Sequence, residues 1–222
     1  MLQSTNKATL RKAMTNTLRG LTQSNLQSQS EAIVAKVLSL PAFQSCKTVS
    51  CYLSMPTGEM QTDALVLNIL ADSGKKLFIP SIKSKNGHMD FVRLYDKEDY
   101  RTLPIGLWGI PEPTTEWGGQ ERQSASDISS DSLDMILLPG VAFDRSLSRL
   151  GHGKGYYDRF LSSYVTAEAR RPRPMLVALS LQQQLLDAGQ VPMTEHDWKM
   201  DMIVTPDEII TNVDTTTDPG RA

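Results

Sequence analysis

The sequence is short of nearly everything that marks a specialised scaffold. Its 222 residues hold two cysteines, Cys46 and Cys51. With no second ligand pair, these make neither a disulfide framework nor a zinc site. Both are read as reduced structural thiols of an intracellular protein. No apolar run approaches the ~20 residues needed to cross a bilayer, and the N-terminus lacks the apolar core of a secretory signal. The net charge is only -2. That excludes a general attraction to nucleic acid or to an anionic membrane, so any polyanion must be held by a local basic site. Acidic residues are missing before Glu31, while Lys7, Arg11, Lys12 and Arg19 stand among Ser and Thr. This composition suits a mitochondrial leader or, alternatively, a basic helix of the mature fold.

What is present is ordinary globular material, 40% hydrophobic and 22% charged, long enough for one core without staples. Leu10, Met14, Leu18 and Leu21 share one face of a helix expected over 9–21. Ile33, Val34, Val37 and Leu38 do the same over 28–38, with Pro41 as a stop. A third helix is expected to start from a Thr62 or Asp63 cap and run to Leu70, closed by Gly74, and a fourth to cover 155–169. Short apolar runs predict strands over 48–53, 76–80, 89–94, 135–138, 175–179 and 202–204, with an Asn86-Gly87 turn between the second and third. Strands alternating with helices predict an α/β fold: a single-domain three-layer sandwich, Rossmann-like, with a largely parallel sheet. The domain is expected over 1–210, with a long polar loop at 111–131 and a frayed tail over 211–222.

The informative stretch is Arg149-Leu-Gly151-His152-Gly153-Lys154-Gly155-Tyr156-Tyr157-Asp158. Alternating glycines let backbone N–H groups converge on one point. The following helix adds its positive N-terminal end there, and Arg149 and Lys154 add full charges. These features describe a phosphate cradle. A Walker A loop is excluded because Gly155, rather than Ser or Thr, follows Lys154. A dinucleotide fingerprint is excluded because one residue, rather than two, separates Gly153 from Gly155. Asp158 in the first helical turn would repel bound phosphates unless a magnesium ion stood between them.

This stretch, with the upstream Leu138-Pro-Gly-Val-Ala-Phe-Asp144, closely resembles the signature of the 5-formyltetrahydrofolate cyclo-ligase family. The resemblance covers most of the chain. Lys7 and Arg11 resemble the family's N-terminal nucleotide-binding pair on one helical face, which favours the mature helix over the leader. Tyr52-Leu-Ser-Met-Pro-Thr-Gly-Glu59 is similar to its folate-facing strand and loop. Trp108-Gly-Ile-Pro-Glu-Pro113 matches as well, and Asp197 in Glu195-His-Asp197-Trp-Lys-Met-Asp201 falls on a second metal-associated acid. His152 departs from relatives that carry Arg there.

The resemblance implies an ATP- and magnesium-dependent ring closure of 5-formyltetrahydrofolate to 5,10-methenyltetrahydrofolate. In that route the γ-phosphoryl group moves to the formyl oxygen, N10 attacks the activated carbon, and phosphate departs, leaving ADP and phosphate. It implies Lys154, Arg149 and Tyr157 as catalytic. Nucleotide contacts would come from Lys7, Arg11 and the run Arg149, Gly151, His152, Gly153, Lys154, Gly155, Tyr156, Tyr157 and Asp158. Folate contacts would come from Leu53, Met55, Glu59, Trp108 and Tyr156, and magnesium ligands from Asp158 and Asp197. The substrate is expected with or without a polyglutamate tail, acted on by a cytoplasmic monomer that needs neither nucleic acid nor membrane. Two rivals remain at this level. One is a non-catalytic folate- or nucleotide-binding regulator on the same scaffold. The other is a sugar-phosphate isomerase, suggested by architecture alone.

Overall fold

The structure, a computed structural model, describes residues 2–82, 88–106, 109–127, 130–167 and 172–212. The chain opens with helices α1 (Leu2–Arg19), α2 (Gln23–Ser39) and α3 (Pro41–Ser45). Strand β1 (Thr48–Cys51), helix α4 (Asp63–Ala71), strands β2 (Lys76–Ile82) and β3 (Met89–Leu94) and helix α5 (Lys97–Thr102) follow. A small hairpin, β4 (Glu116–Trp117) and β5 (Gln120–Glu121), precedes β6 (Met135–Leu138), β7 (Ala142–Asp144) and β8 (Arg149–Leu150). The last part comprises α6 (Tyr156–Ala167), β9 (Met175–Leu179), a short 3₁₀ turn at Gln182–Gln184, β10 (Leu185–Leu186), β11 (Met202–Val204) and β12 (Ile209–Thr211).

Seven strands form one sheet in the order β12-β11-β9-β6-β1-β2-β3. The five central strands are mutually parallel, and an antiparallel strand closes each edge. The central runs Thr-Val-Ser-Cys, Met-Ile-Leu-Leu and Met-Leu-Val-Ala-Leu are apolar almost throughout because both their faces are covered. Alternate residues divide between two cores. Val49, Leu77, Leu137, Val177 and Val204 pack with Ile33 and Val37 of α2 and Leu65 and Ile69 of α4. Phe78, Phe91, Ile136, Leu176 and Ile203 pack with Phe160, Leu161 and Tyr164 of α6 on the other face. The result is the expected three-layer α/β sandwich. A second sheet, β10-β7-β8, carries a separate cluster of Val141, Ala142, Leu150 and Val191 under Met14 of α1.

The chain lays β1, β2 and β3 outward in one direction, and later β6, β9, β11 and β12 in the other. The order therefore reverses between β1 and β6, and open α/β sheets leave a crevice there, beyond the carboxyl ends of the strands. The segments leaving those two strands, Tyr52-Leu53 and Pro139, line a cavity there.

Local signals account for the departures from the sequence reading. Helix α1 begins well before residue 9. Helix α2 begins at Gln23 because Thr22 caps it, its side chain accepting from the Asn25 N–H at 3.2 Å. Thr62 makes no such cap; its hydroxyl instead accepts from the Ser54 N–H at 3.2 Å. Helix α5 and the short strands β7, β8, β10 and β12 were not expected, because elements of two to six residues carry too little periodicity to register. The Asn86-Gly87 turn, the end of the 155–169 helix beyond 167 and the tail beyond 212 lie outside the described residues. Both cysteines are buried and free, and burial pushes both thiols up.

The polar 111–131 stretch is fastened to the sheet. Arg122, 5% exposed, donates to both carboxylate oxygens of the fully buried Asp99 at 2.7 and 2.5 Å, and to the Arg93 carbonyl at 2.9 Å. The Arg122 guanidinium also lies 5.9 Å from the Trp117 ring centroid. Removing one partner of such a pair strands a buried charge. Arg122→Ala is therefore expected to lose about 3–5 kcal/mol in urea unfolding, the usual cost of breaking a buried pair.

Candidate active site

Strand β8 ends at Leu150, and the glycine turn follows directly into α6. Gly153 (φ 94°) and Gly155 (φ 64°) occupy the left-handed region, which side-chain-bearing residues resist. A Cβ would also crowd neighbouring arginines. At Gly153 it would sit 3.2 Å from the Arg11 guanidinium carbon, and at Gly155 2.9 Å from an Arg159 nitrogen. The alternating glycines thus let α1 press its arginine against the turn. Arg11 Nε donates to the Gly151 carbonyl at 2.8 Å across 140 residues of sequence.

Arg149 is 6% exposed and anchors the turn from beneath. Its guanidinium donates to Asp158 Oδ2 at 2.9 Å and to the Pro139 carbonyl at 3.3 Å, and lies 5.4 Å from the Tyr157 ring centroid. Its Nε is buried without a hydrogen-bond partner among the described residues. Lys154, by contrast, is exposed, and its ammonium has no partner among the described residues.

The two acids face each other's elements. Asp158 Oδ1 accepts from the Trp198 N–H at 3.3 Å, tying α6 to the segment that carries Asp197. Asp197 accepts from Lys7 Nζ of α1 and from the N–H and hydroxyl of Thr194, at 2.6 and 2.8 Å. Burial alone would push the Asp197 carboxyl up, but the bonds from Lys7 and Thr194 outweigh it and leave the group below the usual carboxylate range.

The opposite wall comes from the loop after β1. Glu59, which sequence alone leaves open as an exposed acid, is 5% exposed and accepts from the Met55 N–H at 3.1 Å. Its other oxygen lies 3.9 Å from His152 Nε2 across the cleft. Burial, and then the nearby Glu59 charge, push the phenols of Tyr52 and Tyr157 well above their ordinary range. Both therefore remain protonated donors.

One cavity of about 950 Å³ gathers these groups. Its lining includes Lys7, Arg11, Leu53, Met55, Glu59, Asp197 and the whole run Arg149 to Asp158. Every residue expected at the site therefore lies on it except Trp108, which lies outside the described residues. Sequence reasoning did not single out Pro80, Ile82, Met89, Pro111 or Glu112 as lining residues. Pro80, Ile82 and Met89 arrive from β2 and β3 through sheet order, which no local motif encodes, whereas Pro111 and Glu112 stood inside the recognised Trp108–Pro113 motif. Tyr52 and Pro139 stood inside recognised motifs and could have been named as strand ends at a switch point. The charges are segregated: cations and the two acids gather around the glycine turn, with Glu59 and the apolar Leu53 and Met55 across from them. Such a cavity suits a polyanion beside a flat, donor-edged molecule. Among the described residues no helix is long and apolar enough to cross a membrane.

The family model described as the 5-formyltetrahydrofolate cyclo-ligase family matches residues 3–206. A probable 5-formyltetrahydrofolate cyclo-ligase of Schizosaccharomyces pombe is 36% identical, over 95% of this chain and 100% of its own. The 5-formyltetrahydrofolate cyclo-ligase of Mus musculus is 35% identical, over 90% and 94%. The NMR structure of the Aquifex aeolicus 5,10-methenyltetrahydrofolate synthetase superposes with a TM-score of 0.71 at 27% identity, covering 98% of this chain and 96% of that one. A match this complete, with the glycine turn and both acids on one cavity, leaves a single family: the chain belongs to the 5-formyltetrahydrofolate cyclo-ligases.

Proposed function

We propose that this chain closes the ring of 5-formyltetrahydrofolate to 5,10-methenyltetrahydrofolate at the expense of ATP. The observation that carries this reading is the meeting, on one cavity, of a lysine unpartnered among the described residues and an arginine-anchored glycine turn with a buried carboxylate across the cleft. The substrate's N5-formyl group is an amide, and resonance makes its carbon a poor electrophile. Transfer of the γ-phosphoryl group to the formyl oxygen forms one P–O bond and breaks the one to ADP. N10 then attacks the formyl carbon and releases its proton to solvent, the C–O bond breaks, and phosphate leaves.

The protein's work in such a reaction is placement and charge stabilisation. Lys154 supplies a mobile cation for the transferred phosphate. The N–H groups of the glycine turn and the N-terminus of α6 supply fixed dipoles. Arg149, held against Asp158, lies beside the Tyr157 ring rather than swinging freely. Lys7 and Arg11 close over the nucleotide from α1. Leu53, Met55 and Tyr156 form walls for the folate, and Glu59 accepts from the donor edge of its pterin. Alignment of N10 against the formyl carbon is worth several kcal/mol, up to about 7–11 in ideal cases.

The acids fit magnesium. Among the described residues no three His, Cys, Asp or Glu side chains cluster as a self-sufficient metal site. Magnesium commonly takes one or two carboxylates and completes its shell with phosphates and water. Asp158 and Asp197 would hold it there, and it would neutralise phosphate charge. Because Lys7 and Arg11 of the basic N-terminal stretch line the cavity, α1 is read as part of the working enzyme.

The direct test mixes the purified chain with ATP, magnesium and 5-formyltetrahydrofolate and follows the methenyl product's absorbance. No product, or equal product without ATP, overturns the proposal. Lys154→Ala is expected to lower turnover by about a hundredfold or more, the scale for losing one stabilising donor, with an unchanged melting temperature. Asp158→Asn is expected to raise the magnesium concentration for half-maximal activity by about tenfold, within the range seen when a metal site is perturbed.

A further inference from the structure

Asp144 lies at the end of β7 and is fully buried. No cation pairs with it among the described residues; backbone N–H groups satisfy it instead. Oδ1 accepts from Ser146 N at 2.9 Å and Ser148 N at 3.2 Å, and so shapes the turn into β8. Oδ2 accepts from Val191 N at 2.9 Å, 47 residues further along. A buried carboxylate is costly unless hydrogen-bonded in this way. The turn itself is strained, since Leu147 sits at φ 64° without being glycine. Strain of that kind persists only where the surroundings fix it.

The same turn meets the later segment twice more. The Met200 N–H donates to the Leu147 carbonyl at 2.8 Å, and Lys199 Nζ to the Ser146 carbonyl at 3.1 Å. The turn leads directly into Arg149 and the glycine run, and the segment from Val191 to Met200 carries Asp197. These ties, together with the Trp198 bond to Asp158, set how far the two acids stand from the glycine turn. The loop bearing Leu53, Met55 and Glu59 has no hydrogen bond to this joint among the described residues.

We propose that Asp144 is a positioning residue for the nucleotide half of the site: its carboxylate joins the turn before Arg149 to the segment bearing Asp197 and so fixes the spacing of the phosphate-facing groups. This rests on the nucleotide reading above. In Asp144→Asn an amide N–H₂ replaces one acceptor and confronts a backbone donor, which loosens the joint without changing its volume.

The test measures Michaelis constants for ATP and for 5-formyltetrahydrofolate separately in the full chain, with thermal melting alongside. Asp144→Asn is expected to raise the ATP constant by about tenfold, the scale of one lost buried charge-assisted bond, while the folate constant stays within about twofold. Lys199→Ala, an exposed change at the same joint, is expected to move the ATP constant in the same direction by about threefold. Arg145→Ala, whose side chain leaves the turn for Glu208 at the surface, is expected to change neither. Equal shifts in both constants, or no shift in either variant, overturn the proposal. Should Asp144→Asn fail to accumulate as folded protein, an unchanged ATP constant in Lys199→Ala alone overturns it. Turnover of the unaltered chain judges the functional reading; the ratio of the two constants between variant and unaltered chain judges the role of Asp144.

Discussion

A guanidinium buried to 6% exposure must find several acceptors or be expelled into water, and Arg149 draws its acceptors from different parts of the chain. Asp158 reaches it from α6, and the Pro139 carbonyl from the end of β6. Tyr157 stacks beside it. Satisfying this one group fixes the carboxyl end of a central strand, the mouth of the glycine turn and the first turn of α6 relative to one another. The remaining Nε is left over.

Around this pivot the cavity separates two kinds of chemistry. Helix α1 brings Lys7 to Asp197 and Arg11 to the glycine turn, where Gly153 leaves room for the Arg11 guanidinium to lie close. Across the cleft, burial first and the Glu59 charge second keep the phenols of Tyr52 and Tyr157 protonated. Segregation of this sort lets a strongly charged nucleotide and a largely flat folate lie side by side without either wall having to compromise.

Much of the site was legible because it is local. Arg149 to Asp158 forms one contiguous motif, and each of its residues lines the cavity. Lys7 and Arg11 were legible through their spacing on one helical face and their likeness to a family pattern. Glu59 was named but not its burial, which the packing of the whole loop decides and no local run of residues shows. Asp144 was legible as part of a signature but not as a joint, because its decisive partner, the Val191 N–H, is 47 residues distant. The two-residue strands β8 and β10 were invisible for the same reason: they exist only as pairings with β7.

The sequence by itself determined the helix faces, the apolar central strands, the glycine turn and the identity of the charged groups, since each depends on residues within a turn or two of one another. Tertiary structure alone decided that the strand order reverses between β1 and β6, that Lys7 pairs with Asp197 across 190 residues, and that Pro80, Met89 and Glu112 complete the wall. Those outcomes follow from how two apolar faces of one sheet are covered and how buried charges find partners. Both are properties of the packed whole, and no window of sequence contains them.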